Sequence, residues 1–150
     1  MGSTLTNLIY HTIFSTKNRE PMIIPEIGPD LYRYLGGILK SEGGVLLQIG
    51  GMADHIHMVI KLKPVHALST VMQKVKGSSS KWINEQNRLA DKFVWQDGYG
   101  AFTVSESQLE AVIYYVKDQN MHHKHRSFKD EFIRMLEHHR VEYNEQYLWT

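Results

Sequence analysis

The densest chemistry in the chain lies in Asp54-His55-Ile56-His57-Met58-Val59-Ile60. Successive side chains of a strand point to opposite faces, so His55 and His57 share one face while Ile56, Met58 and Ile60 share the other. Two imidazoles at this spacing can bring their nitrogens close enough to share a metal ion. Two ligands alone hold an ion too weakly, so a third is needed, and a pair of half-exposed strand histidines without metal is the plainer alternative. Further along, Tyr114-Tyr115-Val116-Lys117-Asp118-Gln119 offers partners. On a helix, Leu109, Val112, Ile113 and Val116 form an apolar stripe; Tyr115, Gln119 and His122 follow one border of it, and Tyr114 falls nearly opposite its centre. A border tyrosine can bring its hydroxyl to a cleft while its ring stays packed, or simply be a boundary residue. Gln119, one turn from Tyr115, can offer a carbonyl oxygen to a metal. His122, His123 and His125 crowd a helix C-terminus, where positive charge complements the helix dipole, and they stand outside the candidate ligand set.

These groups need elements to position them. Residues 5–16 are rich in β-branched and aromatic side chains on both faces, which reads as a central strand. After Pro25, the positions Ile27, Leu31, Leu35, Ile38 and Leu39 fit a helical stripe that Gly43-Gly44 stops. Residues 45–49 and 55–62 form an antiparallel hairpin about the turn Gly50-Gly51-Met52-Ala53-Asp54. Leu68, Val71, Met72 and Val75 mark a helix, which Gly77-Ser78-Ser79-Ser80 is expected to break before a second helix over 81–88. Phe93-Val94-Trp95 and Ala101-Phe102-Thr103-Val104 read as a strand pair about a glycine turn. The capping-box spacing of Ser107 and Glu110 predicts a helix over about 108–121, and Ser127 with Asp130 predicts another carrying Phe132, Met135 and Leu136. The resulting order predicts an α+β fold with an antiparallel sheet and helices packed on one face, ferredoxin-like or RRM-like, in a single domain over 1–150.

Composition narrows the chemistry further. The 150 residues are 42% hydrophobic and 22% charged, and no apolar run nears the roughly 20 residues that span a bilayer. No secretory signal is evident at the start, so a cytoplasmic protein with no membrane partner is expected. Zero cysteines exclude disulfides, thiolate metal sites and cysteine nucleophiles. The net charge of +1 is a weak argument for nucleic acid, but its distribution is uneven. Between residues 61 and 92, Lys61, Lys63, Lys74, Lys76, Lys81, Arg88 and Lys92 face only Glu85 and Asp91. Lys74, Lys76, Lys81 and Arg88, with Lys17 and Arg19 as further candidates, are the residues that a phosphate backbone could contact, although any single one of these lysines can equally belong to a solvated helix face.

Taken together, the motifs resemble a known family. His55-Ile56-His57 fits the HUH motif, two histidines around a hydrophobic residue, and Tyr115-Val116-Lys117-Asp118-Gln119 fits the Tyr-x-x-x-Gln helix motif. Both are similar to those of the small single-tyrosine HUH transposases of insertion sequences that move as single-stranded DNA. Phe14-Ser15-Thr16-Lys17-Asn18-Arg19, Gly50-Gly51-Met52-Ala53-Asp54, Lys76-Gly77-Ser78-Ser79-Ser80, the stretch from Trp95 to Phe102, and His122-His123-Lys124 look like the family too, in the expected order. The resemblance implies that Tyr115 is the nucleophile and that His55, His57 and Gln119 hold a divalent ion, Mg or Mn. It further implies cleavage and rejoining of single-stranded DNA with hairpin ends through a 5′-phosphotyrosine, a homodimer, and no small-molecule substrate. Such an ion neutralises the scissile phosphate and stabilises the departing 3′-hydroxyl. The rival reading is a non-catalytic, transposase-derived nucleic-acid-binding regulator. A replication-initiator nickase shares the motifs but belongs to a larger protein.

Overall fold

The computed structural model describes residues 2–122 and 126–150, without the side chains of Met121 and His122. The sheet is built around β1 (Leu8–Ser15), which pairs antiparallel with β3 (His55–Leu62) on one side and β4 (Gly100–Val104) on the other. With β2 (Val45–Met52) beside β3, the strand order is β2-β3-β1-β4. Helix α1 (Gly28–Ser41) connects β1 to β2, and α2 (Leu68–Gln86) leads from β3 towards β4. This is the ferredoxin-like βαββαβ path that the element order predicted.

Hydrophobic alternation explains the packing. Phe14 of β1 and Ile56, Met58, Ile60 and Leu62 of β3 bury against Leu31, Leu35 and Leu39 of α1 and Val71, Met72, Val75 and Ile83 of α2. The helix α1 ends at Gly43, whose φ of +87° lets Gly43 and Gly44 return their N–H groups to the carbonyls of Lys40 and Leu39. The other sheet face is also apolar, with Ile9, Ile13, Val59, Phe102 and Val104, and it too requires a cover. Helices α3 (Leu109–Lys117) and α5 (Phe128–His138) supply it through Val116 and through Phe128, Phe132 and Leu136. The helices therefore pack on both faces, where one had been expected.

Several local expectations also change. Helix α2 runs unbroken through Gly77-Ser78-Ser79-Ser80 because its buried face, Val71, Met72, Val75, Ser79 and Ile83, keeps the helical register on both sides of that stretch, while the hydroxyls of Ser79 and Ser80 donate to the carbonyls three residues back. Buried Ser79 Oγ then accepts the Trp95 indole N–H at 2.9 Å. Phe93-Val94-Trp95 forms no hairpin with β4. It pairs antiparallel alongside the end of β1 instead, through Lys17 N to Val94 O and Gln96 N to Ser15 O, while Phe93 and Trp95 enter the core beside Phe14. The helix expected over 108–121 is split at Asp118 (φ −104°, ψ 38°), which separates α3 from α4 (Gln119–His122), and its first turn is a 3-10 turn without a side-chain cap. Ser127 does cap α5, accepting from the Asp130 N–H. After the short α6 (Glu145–Leu148), Trp149 lies near Phe128 and Phe132, with Arg19 and Lys129 over its ring. No helix among the described residues is long and apolar enough to cross a membrane.

Candidate active site

Strand pairing fixes the histidines first. Within β3, His55 stands opposite Met52 and Ser15, and His57 opposite Gly50 and Ile13. Gly50 and Gly51 thus lie in β2, and only Ala53 and Asp54 separate the two strands. Both glycines serve close approaches. A Cβ on Gly51 would meet the His55 carbonyl oxygen at 2.2 Å, and one on Gly50 would meet that of Val116 at 2.0 Å. The bare backbone at Gly50 is what lets α3 lie directly on β2 and bring Tyr115 and Gln119 to the histidines.

The side chains converge. His55 Nε2 lies 3.3 Å from Gln119 Oε1 and 3.5 Å from Glu131 Oε1, and His57 Nε2 lies 2.9 Å from the same Glu131 oxygen. The other Glu131 oxygen accepts a hydrogen bond from the Tyr115 hydroxyl. Gln119 Nε2 donates to the Tyr115 carbonyl at 3.1 Å, which turns its Oε1 towards His55. Tyr114 is 67% exposed on the opposite side of α3, as the helical stripe predicted. Both histidines are 0% exposed, and Gln119 and Glu131 are 1% exposed.

The donor set suits a cation. Ligand atoms of His55, His57 and Glu131 all lie within 4.8 Å of one another, and each imidazole is held from behind. His55 Nδ1 donates to Asp54 Oδ1 at 2.7 Å, leaving its Nε2 lone pair to face the site. His57 Nδ1 is 2.8 Å from His11 Nε2. Burial, reinforced by nearby His57, pulls the His11 pKa down to about 3, so this ring is neutral and can accept from His57 whenever the His57 Nε2 binds a metal. Orientation of ligating imidazoles by a carboxylate or ring acceptor at the far nitrogen is a recurring property of metal sites. Burial, and then the hydrogen bond to Glu131, pushes the Tyr115 phenol above its ordinary pKa and keeps it protonated.

His55, His57, Tyr115 and Gln119 are thus brought together, but the six basic candidates are dispersed. Lys76 Nζ donates to the carbonyls of Gln96, Asp97 and Gly98 at 2.6, 3.1 and 2.6 Å, and burial pulls its pKa down to about 8. Lys74 pairs with Glu42, Arg88 with Asp30, and Arg19 reaches the Trp149 carbonyl. Lys17 and Lys81 are exposed. His123 and His125 lie outside the described residues, as does the side chain of His122.

Sequence reasoning missed Glu131, His11 and Asp54 as parts of the site. The signal for Glu131 was an acid inside an apolar register, between Phe128 and Phe132 on a helix. That for His11 was its place between Tyr10 and Thr12 in a strand with apolar residues on both faces, and that for Asp54 its position immediately before His55.

The chain is similar to several known proteins. The family "Transposase IS200 like" matches residues 4–119. The ISDra2 transposase TnpA of Deinococcus radiodurans is 25% identical over 118 residues, covering 75% of this chain and 84% of that protein. The transposase for insertion sequence element IS200 of Salmonella typhimurium is 28% identical over 128 residues, covering 79% and 81%. Among solved structures, a transposase from Deinococcus radiodurans superposes with a TM-score of 0.65 at 23% identity over 79% of this chain and 95% of the other. A REP-associated tyrosine transposase bound to a REP hairpin superposes with a TM-score of 0.58 at 11% identity over 77% and 70%. These two likenesses concern the fold, and the family match, which spans both strand histidines and the Tyr115–Gln119 turn, is the finding that places the chain: it belongs to the IS200-like transposases.

Proposed function

We propose that this transposase cuts and rejoins single-stranded DNA through Tyr115, with His55, His57 and Gln119 holding a divalent ion, magnesium or manganese. The observation that carries the reading is the convergence of two imidazole nitrogens, an amide oxygen and one phenol from β3, α3 and α4 on a single buried point. A bound ion would supply charge neutralisation at the scissile phosphate. The Tyr115 oxygen attacks phosphorus, the bond to the 3′-oxygen breaks, and that oxygen leaves as a hydroxyl while the phenol gives up its proton. The 5′-phosphotyrosine conserves the bond energy, so the 3′-hydroxyl of another strand can reverse the step without ATP. Gln119 binds on one side and anchors to the Tyr115 backbone on the other, so ligand and nucleophile move as one turn of chain.

DNA with hairpin ends is the substrate under this reading, consistent with the hairpin bound in the REP-associated neighbour. Lys17, Lys74, Lys81 and Arg88 are the exposed cations of the candidate set, and of these Lys74 and Arg88 are engaged with Glu42 and Asp30. Residues 1–150 act as one domain, in the cytoplasm and as a homodimer. Within one chain the ring centroids of Tyr115 and His57 lie 5.8 Å apart.

The test is incubation of the protein with hairpin-bearing single-stranded oligonucleotides and manganese, followed by denaturing electrophoresis. A covalent protein–DNA adduct is expected, abolished by Tyr115→Phe and kept in Tyr114→Phe. An adduct that survives Tyr115→Phe, or DNA retention without any adduct, refutes the reading and leaves the binding regulator.

A further inference from the structure

Glu131 has no role in the reaction as written, yet its carboxylate stands at the middle of the site. One oxygen lies 2.9 Å from His57 Nε2 and 3.5 Å from His55 Nε2, while Gln119 Oε1 is 3.3 Å from His55 Nε2. For metal–ligand bonds of about 2.1 Å, neighbouring donors around an octahedral ion stand about 3 Å apart, and these separations cluster near that value. Two imidazoles, an amide oxygen and a carboxylate form a mixed donor set that first-row divalent ions accept more readily than magnesium does.

The fold delivers this carboxylate deliberately. Ser127 caps α5, and Phe128, Phe132 and Leu136 anchor it against Ile13 and Phe102. Glu131 occupies the same buried register, so the packing that seats α5 also drives its acid onto the histidine face of β3.

We propose that Glu131 is a further ligand of the divalent ion, and that its second oxygen fixes the Tyr115 hydroxyl relative to that ion. The proposal rests on the reading of His55, His57 and Gln119 as a metal site. One carboxylate would then span the cation and the nucleophile, giving Tyr115 a position measured from the ion. Glu131 is a positioning residue for the tyrosine as well as a ligand; a carboxylate that merely paired with the metal-facing His57 Nε2 would have to give way to the ion, so its loss would not weaken metal uptake.

Manganese binding to the full chain, followed by the electron paramagnetic resonance of free Mn(II), separates the two. Loss of an outer partner of a metal ligand already costs about 10- to 100-fold in affinity. E131Q is therefore expected to bind manganese at least about tenfold more weakly, with E131D intermediate. The manganese concentration that half-saturates adduct formation should rise by the same factor in E131Q. Circular dichroism without metal checks the fold, and should E131Q not fold, equal affinity in E131D and wild type overturns the proposal. If E131Q binds like wild type while H57A does not, Glu131 is no ligand and the function proposed above stands. If H57A binds like wild type, the metal site itself falls, and this proposal with it.

Discussion

Gly50→Ala tests the seat of the nucleophile helix with a single methyl group. Its Cβ would lie 2.0 Å from the Val116 carbonyl oxygen and 3.0 Å from the carbonyl carbon, both backbone atoms that cannot rotate away. The oxygen contact is more than about 1 Å short of ordinary van der Waals distance, so α3 must retreat from β2 by about that much, and Tyr115 and Gln119 flank Val116 on the displaced stretch. Overpacking of this kind costs about 1–3 kcal/mol, which a domain of this size can survive. A misplacement of about 1 Å in a reacting group costs on the order of 100-fold in rate. The expectation is a folded protein whose adduct forms about 100-fold more slowly and whose manganese affinity is reduced because Gln119 has withdrawn. Thermal unfolding by circular dichroism, adduct rate from denaturing gels and manganese titration give the three readouts. If G50A is destabilised yet forms adduct at the wild-type rate, the contact between α3 and β2 does not set the distance between phenol and histidines.

Three further outcomes follow from the geometry. His11→Gln should keep the fold but weaken manganese binding about tenfold, because His57 loses the ring that orients its far nitrogen; calorimetry checks this. His11 also imposes an acid limit on wild-type stability. Its native pKa of about 3 lies below the unfolded value of 6.5, so the unfolded chain binds the extra proton, and stability present above pH 6.5 is lost as pH falls towards 3 at up to about 1.4 kcal/mol per unit; urea titrations at stepped pH should show a flatter dependence in His11→Gln. Lys76→Met should lower the melting temperature by releasing three carbonyls while leaving the salt slope of DNA binding unchanged, whereas Lys81→Met should reduce that slope by about 1.

The sequence revealed the parts of the structure that depend on short-range pattern. Alternation put His55 and His57 on one face, and the helical period set Tyr115 and Gln119 apart from exposed Tyr114; both patterns are local and both reappear in the fold. The ferredoxin-like path was legible for the same reason. What was hidden depends on partners distant along the chain. Gly77 and three serines look like a helix breaker until the hydroxyls of Ser79 and Ser80 are seen to bond preceding carbonyls and that of Ser79 to accept from Trp95. Phe93-Val94-Trp95 has strand character, but Lys76 ties the following carbonyls to α2, and the segment pairs with the end of β1 instead of turning into β4. Glu131 enters the site from α5, 74 positions beyond His57, through a packing arrangement that no spacing rule encodes.

The complete enclosure of His55 and His57 has a consequence for speed. Among the described residues neither imidazole presents any surface to solvent, and α5 rests on that face of the sheet through Phe128, Phe132 and Leu136. Uptake of an ion under the proposed reading should then keep pace with brief local openings of α5, and amide hydrogen exchange along that helix in the absence of DNA should report the same openings.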